Sequence, residues 1–84
     1  MVDAQQIQRG SLLTIREGIS VPLGHIVADP RGYSVDNREE SDRDLVPGTI
    51  VVFMGVPSGE DDALVVLADG VLGWVFTDEV DPLQ

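Results

Sequence analysis

The feature that most constrains the fold is a series of three short apolar runs in the second half of the chain. These runs are residues 49–56 (TIVVFMGV), 63–68 (ALVVLA) and 71–76 (VLGWVF). Each is rich in β-branched or aromatic residues and is too short for a typical helix. Polar residues 57–62 separate the first two runs, and Asp69-Gly70, a pair that favours a type I′ hairpin turn, separates the last two. The spacing predicts a three-stranded antiparallel meander.

Shorter elements are predicted on both sides of this meander. Residues 11–17 (SLLTIRE) alternate in polarity, which predicts a strand with Leu13 and Ile15 on one face and Leu12 and Thr14 on the other. After the meander, residues 77–80 carry acidic residues behind a threonine, as in a single helical or 3₁₀ turn. Residues 81–83 can then add a last short edge strand.

Between the first strand and the meander the chain makes a long excursion over residues 18–46. Glycine and proline interrupt this segment repeatedly, and residues 36–44 (DNREESDRD) form a charged run that cannot bury one face. Because compact domains seldom contain loops of this length without structure, we expect residues 24–27 and 33–35 to form the arms of a hairpin-like loop. The charged run would be its exposed tip or exit.

The chain length allows one small domain. With 84 residues, such a domain buries only about 60 to 65 % of the surface that its unfolded chain exposes. We predict a flexible N-terminal arm over residues 1–10 and a single domain over residues 11–84. Its fold class is predicted to be all-β, with about five strands, a long first loop and one 3₁₀ turn before the last strand.

This order of elements, together with residues 45–49 (LVPGT), 69–76 (DGVLGWVF) and 78–80, resembles that of bacterial SH3 domains with their Gly-Trp-Val ending. The resemblance covers about half the chain and implies a small SH3-like barrel. In that context Gly73 would allow a close strand crossing. Phe76, Glu79 and Ala63 depart from the residues that bind proline-rich peptides in eukaryotic SH3 domains, so polyproline binding is not expected.

The charge of the chain restricts its partners. Fifteen Asp and Glu residues stand against five Arg and no Lys, which gives a formal net charge of -10. Such a surface repels nucleic acid and anionic membranes, so neither is an expected partner. Both a GC-rich genome that favours arginine codons and adaptation to high salt can produce this composition.

Several chemistries are not supported by the composition. The chain has no cysteine for thiolate or sulfur-ligated metal chemistry, and no lysine for a phosphate-binding loop. No apolar run approaches the roughly 20 residues of a membrane span, so we expect a soluble protein, cytoplasmic or virion-associated. The long loop and the acidic composition are similar in style to small proteins of tailed phages and environmental genomes.

Neither a catalytic residue nor a metal or cofactor site is predicted. His25 is the single histidine, and a catalytic triad would have to pair it with a residue such as Ser20, in a loop that has no nucleophile elbow or oxyanion donors. Two acidic groups could offer oxygen ligands to Ca²⁺, but neither has the spacing of a known calcium loop. They are Glu60, Asp61 and Asp62, and, in the charged run, Asp36, Glu39, Glu40, Asp42 and Asp44. We interpret both as solvated loops.

The aromatic residues suggest a possible contact surface made of Tyr33, Trp74 and Phe76. Trp74 provides the largest apolar side chain in the sequence. One interpretation is that it is structural, with its indole N–H satisfied at the edge of the sheet. The other is that it lies half exposed beside Tyr33 and anchors a partner.

Three functions therefore remain open, in decreasing order of support. The first is a non-catalytic interaction or assembly module that contacts another protein or a copy of itself. The second is an acidic nucleic-acid mimic that occupies the basic groove of a DNA-binding protein, which requires carboxylates spaced along one face. The third is a small hydrolase, which requires a deep pocket that gathers His25 or two carboxylates.

Overall fold

The computed structural model describes residues 6–30, 32–36, 43–60 and 62–83. Over these residues the protein is all-β, as predicted, with nine strands and one 3₁₀ turn. The strands are β1 (Leu12–Ile15), β2 (Val21–Pro22), β3 (Ile26–Asp29), β4 (Gly32–Val35), β5 (Asp44–Leu45), β6 (Ile50–Gly55), β7 (Ala63–Ala68), β8 (Val71–Phe76) and β9 (Val80–Pro82). Five of them form the main sheet, and the other four form two short pairs.

The main sheet has the strand order β8-β7-β6-β1-β9, and every neighbouring pair is antiparallel. The predicted meander forms one side of this sheet, from β8 at the edge to β6 at the centre, and β7 and β8 begin and end where the sequence predicts. Both residues of the hairpin turn have positive φ, 51° at Asp69 and 80° at Gly70, as a type I′ turn requires. The predicted hairpin is therefore confirmed, whereas the SH3-like barrel stays an interpretation.

The end of the sheet is also as predicted. A 3₁₀ turn over Thr77–Glu79 follows β8 directly, and its acidic end is fixed because the Phe76 backbone N–H donates to Glu79 Oε1 at 2.8 Å. The chain then runs along β1 as the edge strand β9, with Val80 opposite Ile15. Pro82 lies in this edge strand and has no N–H group to offer to a further strand.

One face of the main sheet carries the hydrophobic core. Alternate residues of each strand point to this face, as the period of two in a strand demands. The buried residues of this core are Leu13, Ile15, Val21, Leu23, Leu45, Val51, Phe53, Leu64, Val66, Ala68, Val75 and Val80. Leu13 and Ile15 are on the inner face of β1, as their alternation with Leu12 and Thr14 predicts.

The long excursion folds into the two short strand pairs. Strand β3 pairs with β4, so the predicted hairpin arms are confirmed, and the pairing runs from Ile26 opposite Val35 to Asp29 opposite Gly32. The pairing of β2 with β5 was not predicted. It brings Val21 beside Leu45, and both side chains join the core. Most of the charged run, residues 37–42, lies outside the described residues.

The first described residues run beside β6. The Gly10 N–H donates to Phe53 O at 2.7 Å, and Arg9 Nε donates to Met54 O at 2.9 Å. The Ile7 side chain is partly buried against the core. The boundary between an N-terminal arm and the domain stays a prediction, since residues 1–5 lie outside the described part of the chain.

Candidate interaction face

The face of the main sheet opposite the core is also apolar, and it is divided into two halves. We call it the outer face. One half carries side chains from β7 and β8 only and lies beneath the β3–β4 hairpin. The other half carries side chains from all five strands. The two halves differ in how far other segments cover them.

In the covered half, Trp74 packs between the sheet and the hairpin. Its side chain is only 7 % exposed, and Val65, which is opposite it on β7, is fully buried without belonging to the core cluster. The Trp74 indole N–H donates to the backbone carbonyl of Asp36 at 3.1 Å. At the far end of the hairpin, the Ser58 N–H donates to Tyr33 O at 2.8 Å. These bonds fix the hairpin over Val65.

The joint between the hairpin and the sheet requires two glycines. Gly24 and Trp74 form an isolated antiparallel bridge in which each N–H donates to the other carbonyl at 3.0 Å. A Cβ atom on Gly24 would overlap the indole ring of Trp74, and one on Gly73 would lie 2.6 Å from Gly24 O. The expected close approach at Gly73 is therefore present, and its partner is the segment around Gly24.

The structure settles the two interpretations of Trp74, but it leaves open whether the predicted aromatic surface binds anything. The burial of Trp74 and its hydrogen bond agree with the structural role. Phe76 contacts it edge to face, with ring centroids 4.9 Å apart and planes at 85°. Phe76 and Tyr33 are each half-buried. An interaction surface made of Tyr33, Trp74 and Phe76 stays a prediction, with little of Trp74 accessible.

The other half of the outer face carries an apolar row that crosses the whole sheet. Its members come from β8, β7, β6 and β1 and from the residue that follows β9, and they are Leu72, Leu67, Val52, Leu12 and Leu83, which we call the open row. Strand register aligns the first four, and a hydrogen bond from the Leu83 N–H to Leu12 O at 3.1 Å aligns the fifth. Leu12 is 46 % exposed and Leu83 is 40 % exposed. Ile50, on the same face of β6, is 52 % exposed.

At the β9 end, the open row meets a groove of about 470 Å³. Its lining residues are Gln6, Ile7, Gln8, Ser11, Leu12, Leu13, Pro82 and Leu83. The walls are mostly aliphatic, and the two glutamines supply amide groups at one side. Leu12 and Leu83 belong to both the groove and the open row, so a bound chain can contact the two together.

The size of the open row decides what it can do. Five strands spaced about 4.8 Å apart span roughly 20 Å, so the row and Ile50 cover on the order of 300 Å². This is the size of the largest apolar patch on a typical monomer, a patch that is often functional. It is smaller than the roughly 800 Å² per partner of a standard interface. The row therefore fits the centre of an interface.

The polar residues that were considered for chemistry lie elsewhere. His25 is exposed, and its backbone carbonyl accepts a hydrogen bond from the Asp36 N–H at 2.9 Å. Within the described ranges, no group of three or more His, Cys, Asp or Glu residues could hold a metal ion. Asp61 and residues 39–42 of the two acidic loops lie outside those ranges, so calcium binding there is untested.

The described carboxylates bear on the hypothesis of a nucleic-acid mimic. They are spread over separate elements, including Asp44 in β5, Asp69 in the β7–β8 turn, Asp78 in the 3₁₀ turn and Asp81 in β9. The charged run, in which acidic residues are most closely spaced, is largely outside the described residues. Mimicry therefore stays a prediction.

Sequence reasoning missed the open row, although part of the signal was present. A two-residue turn at Asp69-Gly70 already places Leu67 opposite Leu72. Val52 and Leu12 join them only through the pairing of β6 with β7 and of β1 with β6. These two registers depend on contacts that no local pattern fixes.

Comparison of the chain with protein-family models, with curated proteins and with solved structures finds no match in any of the three.

Among the residues that the structure describes, no helix is long and apolar enough to cross a membrane.

Proposed function

We propose that this protein is a non-catalytic interaction module that docks another protein on the open half of its outer face. The observation that carries the proposal is the open row, in which four strands and Leu83, the residue after β9, each place one apolar side chain at the same level of the sheet. Leu12 and Leu83 are exposed, and the three members between them and the edge of β8 are partly buried. Exposed apolar side chains that are scattered singly are normal, whereas a contiguous apolar surface is typical of a binding site.

The edges of the main sheet are less suitable for a partner than its face. Strand β8, at one edge, is already bridged by Gly24. Strand β9, at the other edge, is three residues long and contains Pro82, which has no N–H group. Addition of a strand from a partner is therefore disfavoured at both edges, and recognition by side chains on the face is favoured.

The energetics favour a centre with a surrounding rim. Burying about 300 Å² of apolar surface on this side contributes roughly 7 kcal/mol at about 25 cal/mol per Å². Association costs an estimated 4 to 15 kcal/mol in lost freedom, so the row alone gives a weak complex. Additional contacts around the row, including the groove, are needed for a stable one.

Site-specific photo-cross-linking in the cells that produce the protein tests this proposal. A photoreactive amino acid replaces Leu12 or Ile50 in the open half, and, as a matched control, Val46, which is 59 % exposed but follows β5 outside the main sheet. We expect a cross-linked product of discrete mass from positions 12 and 50 and none from position 46. Equal products from all three positions, or none from any, would contradict the proposal.

A further inference from the structure

We infer that the partner is a basic protein segment that places an aliphatic or aromatic side chain in the groove beside Leu12 and surrounds it with Lys or Arg. This inference rests on the proposed docking function and specifies its partner. Two observations carry it, namely the groove at the end of the open row and the charge around it.

The groove selects an apolar anchor. Ile7, Leu12 and Leu83 supply aliphatic side chains to its lining, and the fully buried core residue Leu13 lies next to them. A side chain of the size of Leu, Met or Phe fits such a site. The amides of the glutamines at its side can bond the backbone of a bound segment. Anchors of this kind in a central pocket dominate the energetics of many interfaces.

Charge selects what surrounds the anchor. Asp81 is opposite Thr14 on the outer face, where it already takes part in an interaction within the chain and shares a surface depression with Arg16. Asp69 is in the β7–β8 turn, near the other end of the open row. Arg43 lies 3.5 Å from Asp69 and offsets part of that charge. The whole chain carries a formal net charge of -10. A basic partner is attracted by this field, which increases its association rate and favours it over acidic competitors.

The same charge disfavours a second copy of this chain. Two copies that meet face to face bring together two chains of formal net charge -10 each. Salt at about 0.15 M screens charges beyond roughly 8 Å but not those in contact around a small interface. With on the order of 300 Å² on each side, the row has little apolar area to offset this repulsion.

A titration with two matched peptide pools tests the inference. Both pools contain twelve-residue peptides with one central Leu, Met or Phe, flanked by Lys and Arg in one pool and by Glu and Asp in the other. Binding is followed by ¹H–¹⁵N NMR with wild-type protein, Leu12→Ser and the control Val46→Ser. We expect the basic pool to bind at least about tenfold more tightly, with shifts at Ile7, Leu12 and Leu83, and Leu12→Ser alone to weaken binding by about tenfold.

The outcomes separate failure of this inference from failure of the proposed function. Equal affinity for the two pools, or binding of the basic pool that Leu12→Ser does not weaken, overturns the inference. Light scattering at low salt and at molar salt measures the oligomeric state, and we expect a monomer at both salt concentrations. A dimer in molar salt that Leu12→Ser dissociates keeps the docking face but makes a second copy its occupant. Absence of peptide binding, dimerisation and cross-linking together overturns both.

Discussion

The two halves of the outer face have nearly the same chemistry and very different environments. Around Trp74, the sheet is covered by a hairpin that belongs to the same chain, and Val65 is fully buried beneath it. A few ångströms further along the strands, Leu67 and Leu72 begin the open row, which ends at the exposed Leu12 and Leu83. The apolar composition of a sheet face therefore does not show by itself whether that face is a second small core or a binding surface. Among the residues that the structure describes, the distinction is that the β3–β4 hairpin covers the half around Trp74 and leaves Leu12 and Leu83 exposed.

The strongest test of the covered half is to remove the side chain that joins the hairpin to the sheet. We expect Trp74→Ala to lower the free energy of unfolding by about 3 to 5 kcal/mol, because it leaves a large cavity in the covered half. That is a large part of the roughly 4 to 12 kcal/mol available to a domain of this size. Urea denaturation followed by circular dichroism measures the change. A loss below about 1 kcal/mol would contradict the burial of Trp74 under the hairpin.

A second test adds a methyl group at the contact between the hairpin and the sheet instead of removing a side chain there. In Gly24→Ala the new methyl group overlaps the Trp74 indole ring, so the ring or the hairpin must shift. We expect the free energy of unfolding, measured by thermal denaturation, to fall by about 2 to 3 kcal/mol, which is in the upper range for an overpacked core. His25→Ala, at an exposed neighbouring position, is the matched control and should change stability by less than about 0.5 kcal/mol. Equal effects of the two substitutions would argue against the close approach.

A third test keeps an aromatic side chain at position 74 and removes the hydrogen bond of the indole N–H. Trp74→Phe lacks the indole N–H that donates to Asp36 O, and it loses some volume. We expect the free energy of unfolding to fall by about 1 to 2 kcal/mol. We also expect faster hydrogen exchange at the Asp36 amide, which donates to His25 O at the base of the hairpin. Unchanged exchange at Asp36 would mean that the indole bond does not hold the hairpin.

The smallest effect is expected in the open half. Leu12→Ala removes a side chain that is 46 % exposed, so we expect a change of less than about 1 kcal/mol. Val65→Ala, a smaller truncation on the same face, should cost about 2 kcal/mol because its site is buried. Chemical denaturation of both variants measures their free energies of unfolding. A Leu12→Ala cost equal to that of Val65→Ala would show that something already covers the open row in the purified protein.

The parts of the fold that sequence predicted are those fixed by local patterns. The β7–β8 hairpin follows from two apolar runs and a turn pair whose φ values only a few residue types tolerate. The arms of the β3–β4 hairpin follow from the improbability of a long structureless loop. The β2–β5 pair escaped prediction because Val21–Pro22 and Asp44–Leu45 are two-residue strands, too short to show any period.

The candidate face was harder to predict because it depends on contacts between distant residues. That Trp74 would be covered depends on its bridge to Gly24 and its bond to Asp36, which are far away in the chain. The alternation in β1 correctly puts Leu12 on the outer face, but does not say whether a loop covers it there. Over the described residues, the path of the long excursion determines that the half around Trp74 is covered.

The position of Trp74 has a practical consequence for spectroscopy. The chain contains a single tryptophan, and its indole lies at the seam between the hairpin and the sheet, hydrogen-bonded at its nitrogen. Its emission spectrum therefore reports on this one joint rather than on an average over the molecule. A red shift that precedes the loss of the circular dichroism signal would reveal a state in which the hairpin has lifted while the five-stranded sheet is intact. The protein thus carries its own optical sensor for separating local opening from global unfolding.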